Sequence, residues 1–180
     1  YFAGCMTALT PAISRSTTSI LRKAGISYEI MDKDGGICCG RPMMMAGRLA
    51  QAEEMIAKNT AIIKASGADI LLLSCPICYK IFKEKYDLEG IEIVHHTEYF
   101  DRLINEGRLS VNEGSQRYVY HDPCELGRGC GIYDQPRNVA KAMGELVEAG
   151  KSGKESICCG GSLGSLTLSF DRRKALTENA

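Results

Sequence analysis

The chain has 180 residues, enough for one domain or two small ones, and its 22 Lys and Arg balance its 22 Asp and Glu. That neutrality removes the electrostatic footprint of a protein that binds DNA, RNA or an anionic membrane surface. The longest apolar runs, such as residues 70–73, fall far below the ~20 residues a membrane-spanning helix needs, and no charged leader with a long apolar stretch opens the sequence at Tyr1.

With 44% hydrophobic residues the chain can build a real core, so its nine cysteines are not needed as staples of a tiny scaffold. An odd count with two directly adjacent pairs is a poor disulfide framework and points to a reducing cytoplasm.

Taken in chain order, Tyr1-Phe2-Ala3-Gly4 reads as a strand closing on Cys5, in a domain cut from a longer polypeptide. Residues 12–24 are predicted to be a helix stopped at Gly25, and residues 26–31 a strand. Gly35, Gly36 and Gly40 surround Cys38-Cys39 and let the backbone approach a ligand closely, offering N–H groups to sulfide. Residues 46–66 place Leu49, Ala52, Ile56 and Ile63 on one helical stripe, with Asn59 on the same stripe and Gly67 as the stop. Residues 68–74 form a continuous apolar run, the mark of a strand buried on both faces. Pro76 suits the first position of a helix running to Tyr86. A strand follows at residues 91–94, and Thr97 is expected to cap a helix through Asn105. Beyond it come a strand to His121, a helix from Pro136, the second pair of adjacent cysteines and a final helix. This order predicts an α/β fold of mainly parallel sheets flanked by helices. Ligands of such sheets gather beyond the carboxyl ends of the strands, where Cys5 and Cys75 are placed.

One unit occurs twice. Gly36-Ile37-Cys38-Cys39-Gly40 recurs 120 residues later as Ser156-Ile157-Cys158-Cys159-Gly160, and the same offset lays Ile56 on Leu176 and Asn59 on Asn179. Thirty-two residues separate Cys5 from Cys38 and thirty-three separate Cys124 from Cys158. The chain is therefore read as two pseudo-repeated units, residues 1–116 and 117–180. The first continues to Cys75-Pro76-Ile77-Cys78; the counterpart of that pair would fall beyond Ala180, so the second unit is expected to be truncated.

Five cysteines per unit is one too many for zinc, which is satisfied by four, and adjacent thiols do not easily share one small ion. A cluster of several irons spreads its ligand positions over a few ångströms and accommodates vicinal thiolates. Helix N-termini after Cys39 and Cys75 would favour the thiolate form. Strand–Cys-Pro-Ile-Cys–helix also matches a metal-free dithiol oxidoreductase, but that reading explains neither Cys5 nor the repeated vicinal pair.

Other residues have plainer readings. Cys130 is a small apolar filler or an exposed thiol. His121 and Asp122 are candidate proton donors, with a hydrogen bond around the metal site or a structural turn as the simpler role; His95 and His96 read as structural. Met43–Met45 are core or pocket wall. Asn59 and Asn179 satisfy backbone groups of the paired-cysteine loops, since a buried amide must be paired. Arg128 and Arg137 are surface residues or carboxylate or phosphate binders.

The pattern Cys5-x32-Cys38-Cys39-x35-Cys75-x2-Cys78 resembles the CCG cysteine-rich motif of the heterodisulfide reductase family. The phrase His121-Asp122-Pro123-Cys124-Glu125-Leu126-Gly127-Arg128, followed by Tyr133-x-x-Pro136-Arg137, is similar to the linker into that family's second copy. The resemblance spans essentially the whole chain. It implies that Cys5, Cys38, Cys39, Cys75 and Cys78 bind a non-cubane [4Fe–4S] cluster that passes electrons or reduces a disulfide. It also implies partners: a ferredoxin-like domain or flavoprotein as donor and a disulfide or quinone-linked acceptor, with any membrane association made through partner subunits. Glu125 stands where the family often has His, Cys130 has no counterpart in the first unit, and the last Cys-x-x-Cys is absent. The second set, Cys124, Cys158 and Cys159, is accordingly expected to hold no cluster in this chain. Two rivals accompany the electron-transfer reading: a zinc- or cluster-stabilised docking subunit without chemistry of its own, and the metal-free dithiol oxidoreductase.

Overall fold

The computed structural model of the chain describes residues 1–8, 10–31, 37–161 and 168–178. Helices α1 (Pro11–Lys23), α2 (Arg41–Met45) and α3 (Leu49–Ala65) precede strand β1 (Ile70–Leu73), helix α4 (Pro76–Lys85), strand β2 (Glu92–His95) and helix α5 (His96–Asn105). Strand β3 (Arg117–Val119), helices α6 (Gly127–Cys130) and α7 (Asp134–Met143), strand β4 (Glu145–Val147) and helix α8 (Phe170–Thr177) follow. Short 3₁₀ turns cover Cys5–Ala8 and Gly153–Glu155. The fold is α/β, and both strand pairs, β1 with β2 and β3 with β4, are parallel.

The register of the first pair sets Leu73 against His95, so the carboxyl ends of β1 and β2 lie side by side. The N-terminal segment joins the other edge of β1: the Phe2 N–H donates to the Leu72 carbonyl at 2.9 Å, and Phe2 bridges Leu73 in parallel. Side chains alternate along these segments as a pleated sheet requires. Phe2, Leu71 and Leu73 pack with Ile63, Ile81 and Phe82 of α3 and α4 on one face. Tyr1, Ala3 and Leu72 pack with Leu21, Tyr99 and Leu103 of α1 and α5 on the other. β1 is thus apolar throughout because both of its faces are covered. Burying a side chain such as Leu73, which is fully inaccessible, stabilises by about 1.5–3 kcal/mol. The later segment shares this core: Leu126 and Ile132 join the first cluster, α7 packs on α5, and Asn138 donates to Asp101 at 3.1 Å.

Several expectations need correction. Residues 26–31 form no regular ladder; they run extended beside the N-terminus, where the Tyr1 carbonyl accepts the Met31 N–H at 3.0 Å. The turn before them is fixed as expected: Gly25, at a φ of 67°, lets its own N–H reach Arg22 and the Ile26 N–H reach Leu21. The helix expected over 46–66 begins at Leu49, because Gly47 closes the separate turn of α2; Leu49 in the first turn is exposed while Ala52, Asn59 and Ile63 are buried. Helix α5 is capped at His95, not Thr97: the His95 N–H donates to Glu98 while the Thr97 hydroxyl bonds to the His95 ring. Strand β4 carries too short an apolar run to be seen in the sequence, and forms because β3 offers it a partner. No helix among the described residues is long and apolar enough to cross a membrane.

Candidate functional site

Three segments deliver the five thiols of the first set. Cys5 follows Gly4, whose φ of 84° turns the chain; a Cβ there would come within 3.3 Å of the Cys78 sulfur. Cys38 and Cys39 precede Gly40, which also holds a positive φ, 94°, at the start of α2 and donates its N–H to the Cys38 Sγ at 3.4 Å. Cys75 occupies the N-cap position of α4 without a side-chain capping hydrogen bond, and the nearby N–H groups of Cys78 and Ile77 in the first turn favour its thiolate. Cys78 lies in that same turn.

The five thiols are near enough to shift one another's ionisation in sequence: Cys5 with Cys38, Cys38 with Cys39, Cys39 with Cys78, and Cys78 with Cys75. Cys39 and Cys78 are only 2% and 4% exposed, while Cys5, Cys38 and Cys75 are half-buried. Among the described residues, no group of three or more His, Cys, Asp and Glu side chains is arranged to hold a metal ion.

Negative charge on the set rests on Cys39 and partly on Cys75. Hydrogen bonding from Cys38, and then from Cys78, lowers the Cys39 thiol to about 3. Hydrogen bonding from Cys78 outweighs burial and lowers Cys75 to about 7. The donors move the other way: Cys38 is raised by its bond to Cys39 and by burial, and Cys78 by its bonds to Cys39 and Cys75 and by burial. Burial chiefly raises Cys5. Five neighbouring thiolates would repel one another, so full deprotonation needs the positive charge of bound metal.

Behind the set stands a scaffold that holds the vicinal pair by its backbone. Asn59, 3% exposed, donates to the Cys38 carbonyl at 3.0 Å and to the Tyr86 hydroxyl at 3.0 Å, and that hydroxyl donates to the Cys39 carbonyl at 3.1 Å. Asn59 does what its place on an apolar stripe predicts. Tyr86 was not legible, since an aromatic residue at a helix end reads as core. Leaving either carbonyl unpaired here would cost about 1–3 kcal/mol. Gly35, Gly36 and Asn179, assigned roles from the sequence, lie outside the described residues.

The second set is more open. Cys124 and Cys158 lie with their sulfurs 4.0 Å apart, Cys158 and Cys159 are exposed, and the Gly161 N–H donates to the Cys159 sulfur at 3.4 Å. The His121 ring bonds to the Ile157 carbonyl at 2.9 Å. Asp122 is 2% exposed and fully engaged. It accepts both Arg137 amino groups at 2.6 and 2.8 Å and the Gly153 N–H at 2.7 Å, and its backbone carbonyl accepts the Ser156 hydroxyl at 2.9 Å. The Arg137 guanidinium, which also pairs with Glu148, holds the Asp122 carboxyl below its usual range. Arg128 donates to the Ser156 carbonyl. Both arginines are thus occupied within the chain, as braces of the loop that presents Cys158. Arg41, at the start of α2, reaches Glu125 beside Cys124 at 3.8 Å, a half-exposed pair.

Cys130 is half-buried against the first core cluster. His95 and His96 stack 4.3 Å apart, and burial lowers both, to about 3 and about 4, so they are neutral structural groups near neutral pH. Met44 packs on the core, whereas Met45 is exposed.

The model of a family described as "CCG: Cysteine-rich domain" matches residues 1–83 and 118–178. Among curated relatives, the chain is 31% identical over 174 residues to the EtfAB:quinone oxidoreductase of Syntrophomonas wolfei, with 93% of this chain and 24% of that protein covered. It is 31% identical over 172 residues to one subunit of the dihydromethanophenazine:CoB–CoM heterodisulfide reductase of Methanosarcina acetivorans, covering 89% and 42%. It is 30% identical over 165 residues to one subunit of the fumarate reductase (CoM/CoB) of Methanothermobacter marburgensis, covering 89% and 32%. The chain therefore spans less than half the length of these relatives. No solved structure matches it.

Proposed function

The chain belongs to the CCG cysteine-rich domain family, and from that premise we propose that it is the iron–sulfur module of an oxidoreductase, with a non-cubane [4Fe–4S] cluster held by Cys5, Cys38, Cys39, Cys75 and Cys78. The observation that carries this reading is the mutual coupling of five thiols drawn from three segments. Donor chemistry supports the fit: all five are thiols, two positive-φ glycines bring backbone close, the Gly40 N–H donates to the Cys38 sulfur, and the start of α4 favours the Cys75 thiolate. When bound, such a cluster supplies reversible one-electron chemistry.

The chain's own residues position and shield. Cys39 and Cys78 hold the buried side and exclude water, and Asn59 and Tyr86 fix the loop from behind. Half-buried Cys5 and Cys38 lie on the side that a donor or acceptor can approach. Electrons would enter from a ferredoxin-like domain or a flavoprotein and leave to a disulfide or a quinone-linked acceptor. The names of the relatives, one a quinone oxidoreductase and one part of a heterodisulfide reductase, support both acceptor classes. Burial of Cys78 and its engagement with two other sulfurs do not suit a free attacking dithiol.

Thiol mapping tests the assignment. After anaerobic reconstitution with iron and sulfide, a maleimide reagent should label Cys124, Cys130, Cys158 and Cys159 while the five proposed ligands stay protected, and chelation should expose them. Labelling of Cys5 or Cys38 at the same rate before and after reconstitution would refute the ligand set.

A further inference from the structure

Resting on the cluster assignment above, we infer that Tyr86 is a positioning residue for that site: by holding the Cys39 carbonyl it aims the Gly40 N–H at the Cys38 sulfur, and so raises the reduction potential of a bound cluster. The Cys39 carbonyl and the Gly40 N–H belong to one peptide unit, and no peptide bond among the described residues is cis. In a trans, planar peptide these two groups point to opposite sides. On one side the Tyr86 hydroxyl donates to the carbonyl at 3.1 Å, and on the other the N–H donates to the Cys38 Sγ at 3.4 Å. One side chain therefore fixes a plane whose far edge faces a proposed ligand.

The hydroxyl is prepared for this task. The Asn59 amide donates to it at 3.0 Å and to the Cys38 carbonyl at 3.0 Å, so the same amide pins the preceding peptide as well. Accepting from Asn59 leaves the hydroxyl proton for the Cys39 carbonyl and polarises that bond. Burial chiefly raises the Tyr86 phenol, which keeps its proton through the neutral range. Its ring packs on Phe82, with centroids 4.0 Å apart, and the residue is 7% exposed. Cys78, Phe82 and Tyr86 recur every four residues along α4 and into its C-cap. One helix face thus carries a proposed ligand in its first turn and the anchor of the vicinal loop at its end.

An N–H group aimed at a ligand sulfur stabilises the more negative, reduced state of a cluster over the oxidised one, and hydrogen bonds to the sulfurs help to set the potential. Removing the hydroxyl lets the peptide rotate and weakens that bond, yet it takes away no ligand. A tyrosine that served only as core would leave the potential unmoved when phenylalanine replaces it.

The test compares the full chain as wild type, Tyr86→Phe and Tyr79→Phe, each reconstituted anaerobically with iron and sulfide. Tyr79 is the control, a buried tyrosine of the same helix whose ring packs edge-on against His95. At equal iron content, a redox titration followed by electron paramagnetic resonance should place Tyr86→Phe lower by about tenfold in the reduction equilibrium, or about 59 mV for one electron. Tyr79→Phe should keep the wild-type potential. Hydrogen exchange at the Gly40 amide of the metal-free chain is a second readout that needs no cluster, and it should quicken in Tyr86→Phe and not in Tyr79→Phe. A wild-type potential in loaded Tyr86→Phe, an equal shift in Tyr79→Phe, or unchanged Gly40 exchange would overturn the inference and leave the cluster assignment standing. A wild-type chain that takes up no cluster would overturn both.

Discussion

Replacing Cys39 with alanine is expected to lower the iron incorporated on anaerobic reconstitution from about four per chain to below about one. Cys39 is the central member of the set, its ionisation coupled to both Cys38 and Cys78, and it is almost wholly buried. Its loss splits the set into Cys5 with Cys38 on one side and Cys75 with Cys78 on the other, with no sulfur between. Its backbone carbonyl is held by Tyr86 and does not depend on the side chain, so the loop should keep its course. Cys130→Ala is the matching control: that thiol packs against the core but has no place in the set, and its removal should leave the iron count unchanged. Iron and sulfide assays, with circular dichroism to verify folding, distinguish the outcomes. A Cys39→Ala chain that still loads a full complement of iron would show that these five thiols are not the ligand set.

The largest effect on stability is expected at Asp122. This carboxylate is buried and takes three hydrogen bonds, two of them from the nearly buried Arg137. Breaking a buried pair by removing one partner costs about 3–5 kcal/mol, because the other charge is left uncompensated. Asp122→Ala should therefore lower the unfolding free energy by that order, measured by urea denaturation, and should loosen the 153–156 segment that leads to Cys158. A loss no larger than that of an exposed pair such as Lys64–Asp87 would show Arg137 to be satisfied by Glu148 alone.

A pH dependence follows with a definite sign. The Asp122 carboxyl is held below its ordinary value, first by the hydrogen bonds from Arg137. Its stabilisation is thus fully present above the unfolded-state value of about 3.9 and is lost as pH falls through the lower folded-state value. Asp122→Asn should flatten that part of the acid limb.

How far the sequence reveals this structure depends on the kind of signal. Pro76 after an apolar run located β1 and α4 to within a residue or two, because proline at a helix start and strand burial on both faces leave local marks. The five first-set cysteines were singled out by spacing alone, and parallel strand order explains why residues 5 and 75 come to the same end of the sheet: both end segments of it. Asn59 was legible because a polar side chain interrupts an apolar stripe. Tyr86 and Arg137 were not, since their roles depend on partners far along the chain or across a loop. Strand β4 was missed because three residues carry no periodicity of their own. Residues 26–31 read as a strand because they alternate, yet that segment lacks a full set of ladder bonds beside the short N-terminal stretch.

Mössbauer spectroscopy decides whether five thiols of this chain hold one multi-iron cluster. The chain would be reconstituted anaerobically with iron-57 and sulfide, and its iron, sulfide and zinc counted in parallel. About four irons and matching sulfide per chain are expected, with inequivalent, sulfur-ligated iron sites in the spectrum. A chain that takes up no more than about one iron, while binding about one zinc tightly through the same thiols, would contradict the cluster assignment.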